Sequence, residues 1–385
     1  MFELNWGELS PEQFLKDYWQ KKPLLIRQAF PDFESIIAPD ELAGLSCEEG
    51  VESRILIEQG LDKQTPWQVI HGPQQENIFE QLPKTNWTLL VQEANQYLDE
   101  LGELIDCFNF IPNWRFDDVM ISYAPKHGSV GPHTDQYDVF LLQAYGQRHW
   151  HIADYPTTDS DLIENIESKI LKELKPEQDW VLNPGDLLYL PPNIIHHGIA
   201  LNDCLTYSFG YRAPTAVDTL SSIIEFLDDN EVKNYRYVDP DLKLNPHGNG
   251  EITREAFQHL INNMRGLLNN EEKIRELLAC YLTDTPHQLY LTELDFHSPE
   301  QLLDYLKQGN QLQRSEAARI AFTQKNNGTY QFFMNGDKVE TAIEVNELIP
   351  IICGERFLTI KKVESCLNDK SQEFLFKLIK QGIYH

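Results

Sequence analysis

The chain has 385 residues, 41% of them hydrophobic, which is enough for one large domain and one or two smaller ones with cores of their own. Acidic residues outnumber basic ones 60 to 32, and the net charge of −28 repels a nucleic-acid backbone while drawing in a basic protein or peptide. The six cysteines stand singly with no C-x-x-C pair, which argues against a zinc knuckle or a disulfide framework and fits a reducing cytosol. The opening MFELNWGELS carries early acids and no apolar run, and no stretch reaches the length of a bilayer span. The expectation is a soluble, cytoplasmic protein with no membrane partner and no direct nucleic-acid ligand.

In chain order, LSPEQFLKDYWQKKPLLIR predicts a helix capped by Ser10, with Pro11 at its first position and Gln13 three residues after the cap. Pro23 then opens a short strand, LLIR. Up to about residue 115 the pattern is mixed, with helical periodicity in LLVQEANQYLDELGELI and turn chemistry at HGPQQ. Residues 116–212 read as successive short strands: DDVMISYA, YDVFLLQAYG, QRHWHIA, DWVLNPGDLLYLPP, IIHHGIAL and CLTYSFGYRAP. That spacing predicts a barrel or sandwich. The insertion TTDSDLIENIESKILKELKPEQ reads as a loop with a short helix. After Arg212 come helices in TAVDTLSSIIEFLDDN, EITREAFQHLINNMRGLLNN and EEKIRELLACYL, around a loop through DPDLKLNPHGNG, and they suit either a dimer interface or internal packing. From about residue 286, helices at SPEQLLDYLKQG and RSEAARIAFTQ, a hairpin turning at Asn335-Gly336, and a closing ERFLTIKKVESCLNDKSQEFLFKLIKQG suggest a winged-helix-like module. Its charge is near balance without a basic stripe, so a protein-packing role is expected of it.

The chemistry concentrates around GPHTDQYDVF. Strand alternation places His133 and Asp135 on one face, followed there by Tyr137 and Val139. A buried acid beside an imidazole is costly unless something binds there. Farther on, LYLPPNIIHHGIA brings His196 and His197 out of a proline-fixed turn. Two imidazoles and one carboxylate meeting from adjacent strands make the facial arrangement that holds Fe(II) and leaves coordination positions open. Arg148, in GQRHWHI, offers a planar guanidinium fork for a cosubstrate carboxylate; by itself it reads equally as a surface arginine beside His149 and Trp150. In NPGDLLYLPP, Gly185-Asp186 marks a turn with or without a metal nearby.

The run RFDDVMISYAPKHGSVGPHTDQYDVFLLQAYGQRHW, with NPGDLLYLPPNIIHHGIA and TYSFGYRAP, resembles the bacterial ribosomal oxygenases. These are JmjC-type iron- and 2-oxoglutarate-dependent hydroxylases related to cupins. FLKDYWQKKPLLIR resembles the family's N-terminal signature, and the order of the later parts also matches. The resemblance implies a mainly β plus α chain in three parts. Residues 1–212 would be a JmjC/cupin-type catalytic domain with a double-stranded β-helix barrel at about 116–212. A helical dimerisation region at 213–285 and a winged-helix-like domain at 286–385 would follow, in a homodimer.

The resemblance further implies Fe(II), 2-oxoglutarate and O2, with His133, Asp135 and His196 on the metal-ligand positions and His197 on a non-ligand one. Arg148 falls on the residue that takes the distal carboxylate of 2-oxoglutarate. Met120 and Ser208 are expected near that cosubstrate, and Asp118 and Tyr137 near the substrate, since alternation from Ala124 through Ser122 and Met120 carries Asp118 onto the same face. Ala124 stands where the relatives resemble a serine that helps hold 2-oxoglutarate. The implied substrate is an arginine of the sixteenth protein of the large ribosomal subunit, a basic target that suits both Asp118 and the net charge. A histidine of another ribosomal protein, a non-catalytic cupin-like binding protein and a cupin isomerase are the rival readings. A lysine demethylase fits less well.

Overall fold

Ser10 caps the first helix, Pro11–Asp17, by accepting the Gln13 N–H at 3.2 Å, and Phe14 on its inner side is fully buried. The structure is a computed structural model that describes residues 2–59, 66–225, 236–242, 250–285 and 296–385. It divides into two units, Met1–Ala213 and Pro214–His385, each with a core of its own. Among the described residues no helix is long and apolar enough to cross a membrane.

The first unit is built on strands β1 (Leu24–Ile26), β2 (Ser53–Glu58), β3 (Trp67–His71), β4 (Trp87–Val91), β5 (Phe116–Ala124), β6 (His133–Thr134), β7 (Asp138–Tyr145), β8 (Arg148–Ala153), β9 (Gln178–Leu182), β10 (Leu187–Leu190), β11 (Ile195–Ala200) and β12 (Cys204–Tyr211). Eight of them form a sheet in the order β1-β10-β7-β12-β5-β4-β2-β3, and four a second sheet, β6-β11-β8-β9, with every pairing antiparallel. Alternation sends Ile121, Phe140, Tyr189, Tyr207 and Phe209 to one face of the larger sheet, where they meet Phe14 and Phe108 in the main core. Val139, Leu141, Leu188 and Leu190 point the other way and pack on Trp150, Ile152 and Leu182 of the smaller sheet. Two sheets facing each other across that second core make the double-stranded β-helix.

Two elements differ from the sequence reading, for the same reason in each case. Leu89–Val91 belong to strand β4, which is hydrogen-bonded on both sides, to β2 and β5, so the helical periodicity read there is overridden by sheet pairing; a helix begins only at Leu101. The insertion at 157–178 is, as read, a loop with one short helix, the 3₁₀ helix Asp159–Asp161, to which a bridge from Leu162 to Leu171 is added. In RSEAARIAFTQ, Ile320–Gln324 is a strand paired with Tyr330–Met334. Asp135 also lies just outside a strand, because β6 ends at Thr134.

The larger sheet is pinned from its outer face by Asp138, at the start of β7. Its carboxylate is fully buried and accepts from Tyr189 Oη at 2.6 Å, Gln20 Nε2 at 2.9 Å and Arg115 Nη2 at 3.0 Å. Asp186 does similar work behind the NPGD turn, accepting from Arg27 Nη1 at 2.6 Å and from the Gln28 and Asn183 amides at 2.9 Å. Gly185 makes that turn possible: its φ is +85°, and a Cβ there would lie 2.2 Å from the Phe30 carbonyl oxygen.

In the second unit, helix Glu271–Thr283 packs on helix Ala216–Glu225 and meets Phe333 through Ala279 and Cys280. Strands Ile320–Gln324, Tyr330–Met334 and Asp337–Val339 form a three-stranded sheet whose tight turn has Asn335 at φ 49° and Gly336 at φ 85°, as the Asn-Gly pair predicts. Helices Pro299–Lys307, Leu348–Gly354 and Asp369–Lys380 pack on it around Phe332, Leu348 and Leu378. The predicted start of this module at 286 and the end of TAVDTLSSIIEFLDDN lie outside the described residues.

Replacing Asp138 with alanine leaves Arg115 and Tyr189 facing a buried void, and the loss expected for breaking a buried ion pair is ~3–5 kcal/mol. Urea unfolding of Asp138→Ala measures it, and a loss under ~1 kcal/mol would contradict the pinning role.

Candidate metal centre and its barrel cavity

Strand β11 alternates so that His196, Gly198 and Ala200 face the barrel interior, while His197 and Ile199 face outward. His196 is paired on one side with His133 of β6 and on the other with Ile152 of β8. Asp135 follows β6 in a bend whose carbonyl accepts the Asn193 amide at 2.7 Å, tying the H-x-D segment to the Pro191-Pro192-Asn193 turn. Three donor residues from separate chain segments thus converge: the ligating atoms of His133, Asp135 and His196 all lie within 4.8 Å of one another.

The hydrogen bonds around these rings dictate what they can do. His133 Nδ1 lies 2.9 Å from the Gly131 carbonyl and His196 Nδ1 3.0 Å from the Ile194 carbonyl, so each Nδ1–H donates to backbone and each Nε2 carries a lone pair. Those lone pairs point toward the Asp135 carboxylate, with His133 Nε2 3.9 Å from Oδ1 and His196 Nε2 3.5 Å from Oδ2. Three electron-rich groups face one another with no proton between them, an arrangement that is repulsive until a cation sits among them. Burial, with His133 as a neighbour, holds the His196 imidazole well below its ordinary pKa, so it is neutral and fit to ligate at pH 7. His197 is held down to about 4, by burial first and by His151 next, and it stays out of the cluster because it is on the outer face.

A cavity of about 370 Å³ opens beside the three donors, lined among others by Asp118, Met120, Tyr137 and Ser208. Met120 and Ser208 are direct cross-strand partners on β5 and β12. Asp118 Oδ2 accepts the Glu93 amide at 3.1 Å. Tyr137 stands at the mouth, 42% exposed. Gly210 keeps the space between these two open, since a Cβ there would lie 3.2 Å from Asp118 Oδ1 and 3.8 Å from the Tyr137 ring. All four residues expected near cosubstrate or substrate are therefore on one wall.

Arg148 lies apart from that cavity, deeper along the interior of β8 and only 3% exposed. Its Nη2 is 3.6 Å from Cys204 Sγ, its guanidinium is 5.7 Å from the Trp150 ring, and its Nε has no hydrogen-bond partner among the described residues. Gly198 makes room for it, because a Cβ at 198 would lie 2.9 Å from Arg148 Cδ and 2.8 Å from Trp150. Ala124 packs with Ala200 and Cys204 as an apolar patch beside this cation and brings no hydroxyl.

Sequence reading missed the β2 and β4 wall. Arg54, Leu56, Leu90 and Gln92 also line the cavity, joined by Glu167–Ile170 of the insertion. Alternation in SRILIE and WTLLVQ would have shown a common face, but nothing in a single sequence says that β4 pairs with β5. Arg54 Nε, Gln92 Oε1, Thr88 Oγ1 and Trp150 Nε1 are, like Arg148 Nε, buried without a partner among the described residues. Each such group costs ~1–3 kcal/mol if left unsatisfied, so the barrel interior is made for a polar guest.

Comparison with known proteins agrees with this geometry. Residues 103–219 match the JmjC domain family and residues 266–385 the ROXA-like winged helix family. The ribosomal protein uL16 3-hydroxylase of Escherichia coli is 33% identical over 88% of this chain and 86% of its own length. A probable ribosomal oxygenase of Haemophilus influenzae is 41% identical over 61% of this chain and 56% of its own. A solved ribosomal oxygenase from Escherichia coli, in complex with cobalt and 2-oxoglutarate, superposes with a TM-score of 0.82 at 29% identity, covering 100% of this chain and 99% of that one. The chain belongs to the ribosomal oxygenase family, a JmjC domain followed by a ROXA-like winged helix.

Proposed function

We propose that this ribosomal oxygenase is an Fe(II)- and 2-oxoglutarate-dependent hydroxylase that acts on an arginine side chain of ribosomal protein uL16. The observation that carries the reading is the convergence of two Nε2 lone pairs and one carboxylate in a barrel beside a polar cavity. His133, Asp135 and His196 would hold the metal, leaving the cavity side open. Bound there, Fe(II) with 2-oxoglutarate supplies the oxidising power to insert one oxygen atom of O2 into a C–H bond, the other leaving in succinate as CO2 is lost.

The protein's own part is placement. Arg148 takes the distal carboxylate of 2-oxoglutarate with its guanidinium, which is buried, lies 5.7 Å from the Trp150 ring and has the room that Gly198 leaves for it. Met120 and Ser208 form the wall between cosubstrate and substrate. Asp118 accepts the guanidinium of the target arginine, and Tyr137 covers it from the mouth. An anionic molecule of net charge −28 speeds the approach of a basic ribosomal protein. Support for uL16 comes from the 33% identical relative, named as a uL16 3-hydroxylase, and from the acid placed for a guanidinium. A retired, non-catalytic barrel has no reason to keep mutually repelling donors together.

We also propose a homodimer joined through the second unit. On helix Arg254–Leu268, Phe257, Leu260, Ile261, Met264 and Leu268 recur at helical spacing, each 38–63% exposed, and no residue of that helix is buried. Val217, Leu220 and Ile224 on helix Ala216–Glu225 are likewise exposed along one face. A second copy of the same two faces satisfies both.

The direct test is incubation of the Fe(II)-loaded protein with 2-oxoglutarate, O2 and purified uL16. The expected result is stoichiometric succinate and the mass of one added oxygen on an arginine of uL16. Asp135→Ala is expected to abolish both while unfolding, without metal, at a denaturant midpoint no lower than that of the wild type; turnover retained in that variant would remove Asp135 from the metal site. Asp118→Asn keeps the shape and removes the charge, and kcat/KM for uL16 is expected to fall ~10- to ~100-fold with the 2-oxoglutarate requirement unchanged. An equal loss for both substrates would instead place Asp118 at the cosubstrate. Ile261→Glu with Met264→Glu is expected to halve the mass measured by sedimentation equilibrium, and an undisturbed dimer would locate the interface elsewhere.

A further inference from the structure

Thr88, the second residue of β4, is fully buried, and its hydroxyl has no hydrogen-bond partner among the described residues. Its direction follows from its neighbours: Leu90 and Gln92, two and four residues on, both line the barrel cavity, so Thr88 also faces the interior. The register of β4 on β5, Leu89 with Tyr123, sets Thr88 opposite Ala124. The bond from the Asn86 amide to the Lys126 carbonyl continues the same pairing. Ala124 in turn is the partner of Cys204, whose sulfur touches the Arg148 guanidinium. Thr88 Oγ1 and Arg148 Nε are therefore two unsatisfied donors on opposite flanks of one small apolar patch, Ala124, Ala200 and Cys204.

We propose that Thr88 is a positioning residue for the cosubstrate, its hydroxyl donating to the same distal carboxylate that Arg148 binds. The inference rests on the 2-oxoglutarate reading given above. A carboxylate has four acceptor sites, more than one guanidinium fills, and a neutral hydroxyl adds an oriented donor without a second buried charge. Thr88 in this way supplies from β4 the hydroxyl that position 124 of β5 lacks. The methyl of Thr88 keeps the remaining wall apolar, which holds the carboxylate to a single seat.

The test is calorimetric titration of 2-oxoglutarate into the Fe(II)-loaded full chain under anaerobic conditions, for the wild type, Thr88→Val, Thr88→Ser and Arg148→Ala, together with urea unfolding of each without ligand. Thr88→Val is expected to bind about fivefold to tenfold more weakly, Thr88→Ser within about twofold of wild type, and Arg148→Ala far more weakly. Ligand-free Thr88→Val is expected to be at least as stable as wild type, since the buried hydroxyl it removes bonds to nothing in the protein. Wild-type affinity in Thr88→Val alongside a loss in Arg148→Ala would overturn the role of Thr88 and leave the cosubstrate reading standing. Destabilised ligand-free Thr88→Val would also overturn it, by assigning the hydroxyl to the protein's own packing. No binding by wild type, or none lost in Arg148→Ala, would overturn the cosubstrate reading and this inference with it.

Discussion

The structure is organised around three electron-rich side chains that have no reason to be together without a cation. Each imidazole is locked by the backbone carbonyl two residues before it, Gly131 or Ile194, into the tautomer that aims its Nε2 inward, and Asp135 is held opposite them by the Pro-Pro-Asn turn. Bringing these groups into a barrel costs solvation and gains mutual repulsion, both of which a bound divalent metal reverses. The same condition extends along the interior. Arg54, Thr88, Gln92, Arg148 and Trp150 each present a buried polar atom with no partner among the described residues.

An interior left unsatisfied to this degree must be held open by stability elsewhere. The main core lies on the far side of the larger sheet, where tightly packed rings from Phe14, Phe108, Phe140, Tyr189 and Phe209 are backed by the saturated Asp138 and Asp186 carboxylates. Only one face of that sheet is given to packing in depth, so the other can be given to ligands. Glycines serve the same division: Gly185 closes a turn on the packed side, while Gly198 and Gly210 leave room for Arg148 and for the Asp118–Tyr137 gap on the ligand side. The net charge of −28 acts over a longer range, where its field favours the approach of basic molecules over acidic ones.

Much of this was legible in the sequence, because the barrel strands are short, alternating and separated by turn residues. Alternation put Asp118, Met120 and Tyr137 on the cavity side, the family resemblance added Ser208, and all four line the cavity. Alternation worked for Asp135 and Tyr137 although they lie in a bend outside the strand, so the correct face came partly from a turn the pattern did not reveal. Long-range pairing was the part out of reach. LLV was read as helix because its paired residues on β2 and β5 lie thirty or more positions away on either side in sequence, and Thr88, Gln92 and Arg54 went unnoticed for that reason. RSEAARIAFTQ misled in the same way, its alanines favouring helix until a strand partner overrode them. The family resemblance supplied what alternation could not, namely which of His196 and His197 turns inward, and the register of β11 on β8 gives the physical reason.

The central claim is that the metal and the cosubstrate carboxylate together satisfy the barrel interior, and an anaerobic crystal structure with Mn(II) and 2-oxoglutarate, using anomalous scattering to locate the metal, tests it most directly. The account predicts a single anomalous peak bonded to His133 Nε2, His196 Nε2 and an Asp135 oxygen, with the distal carboxylate of 2-oxoglutarate on Arg148. A metal bound elsewhere, or a 2-oxoglutarate whose distal carboxylate leaves Arg148 unpaired, would contradict it.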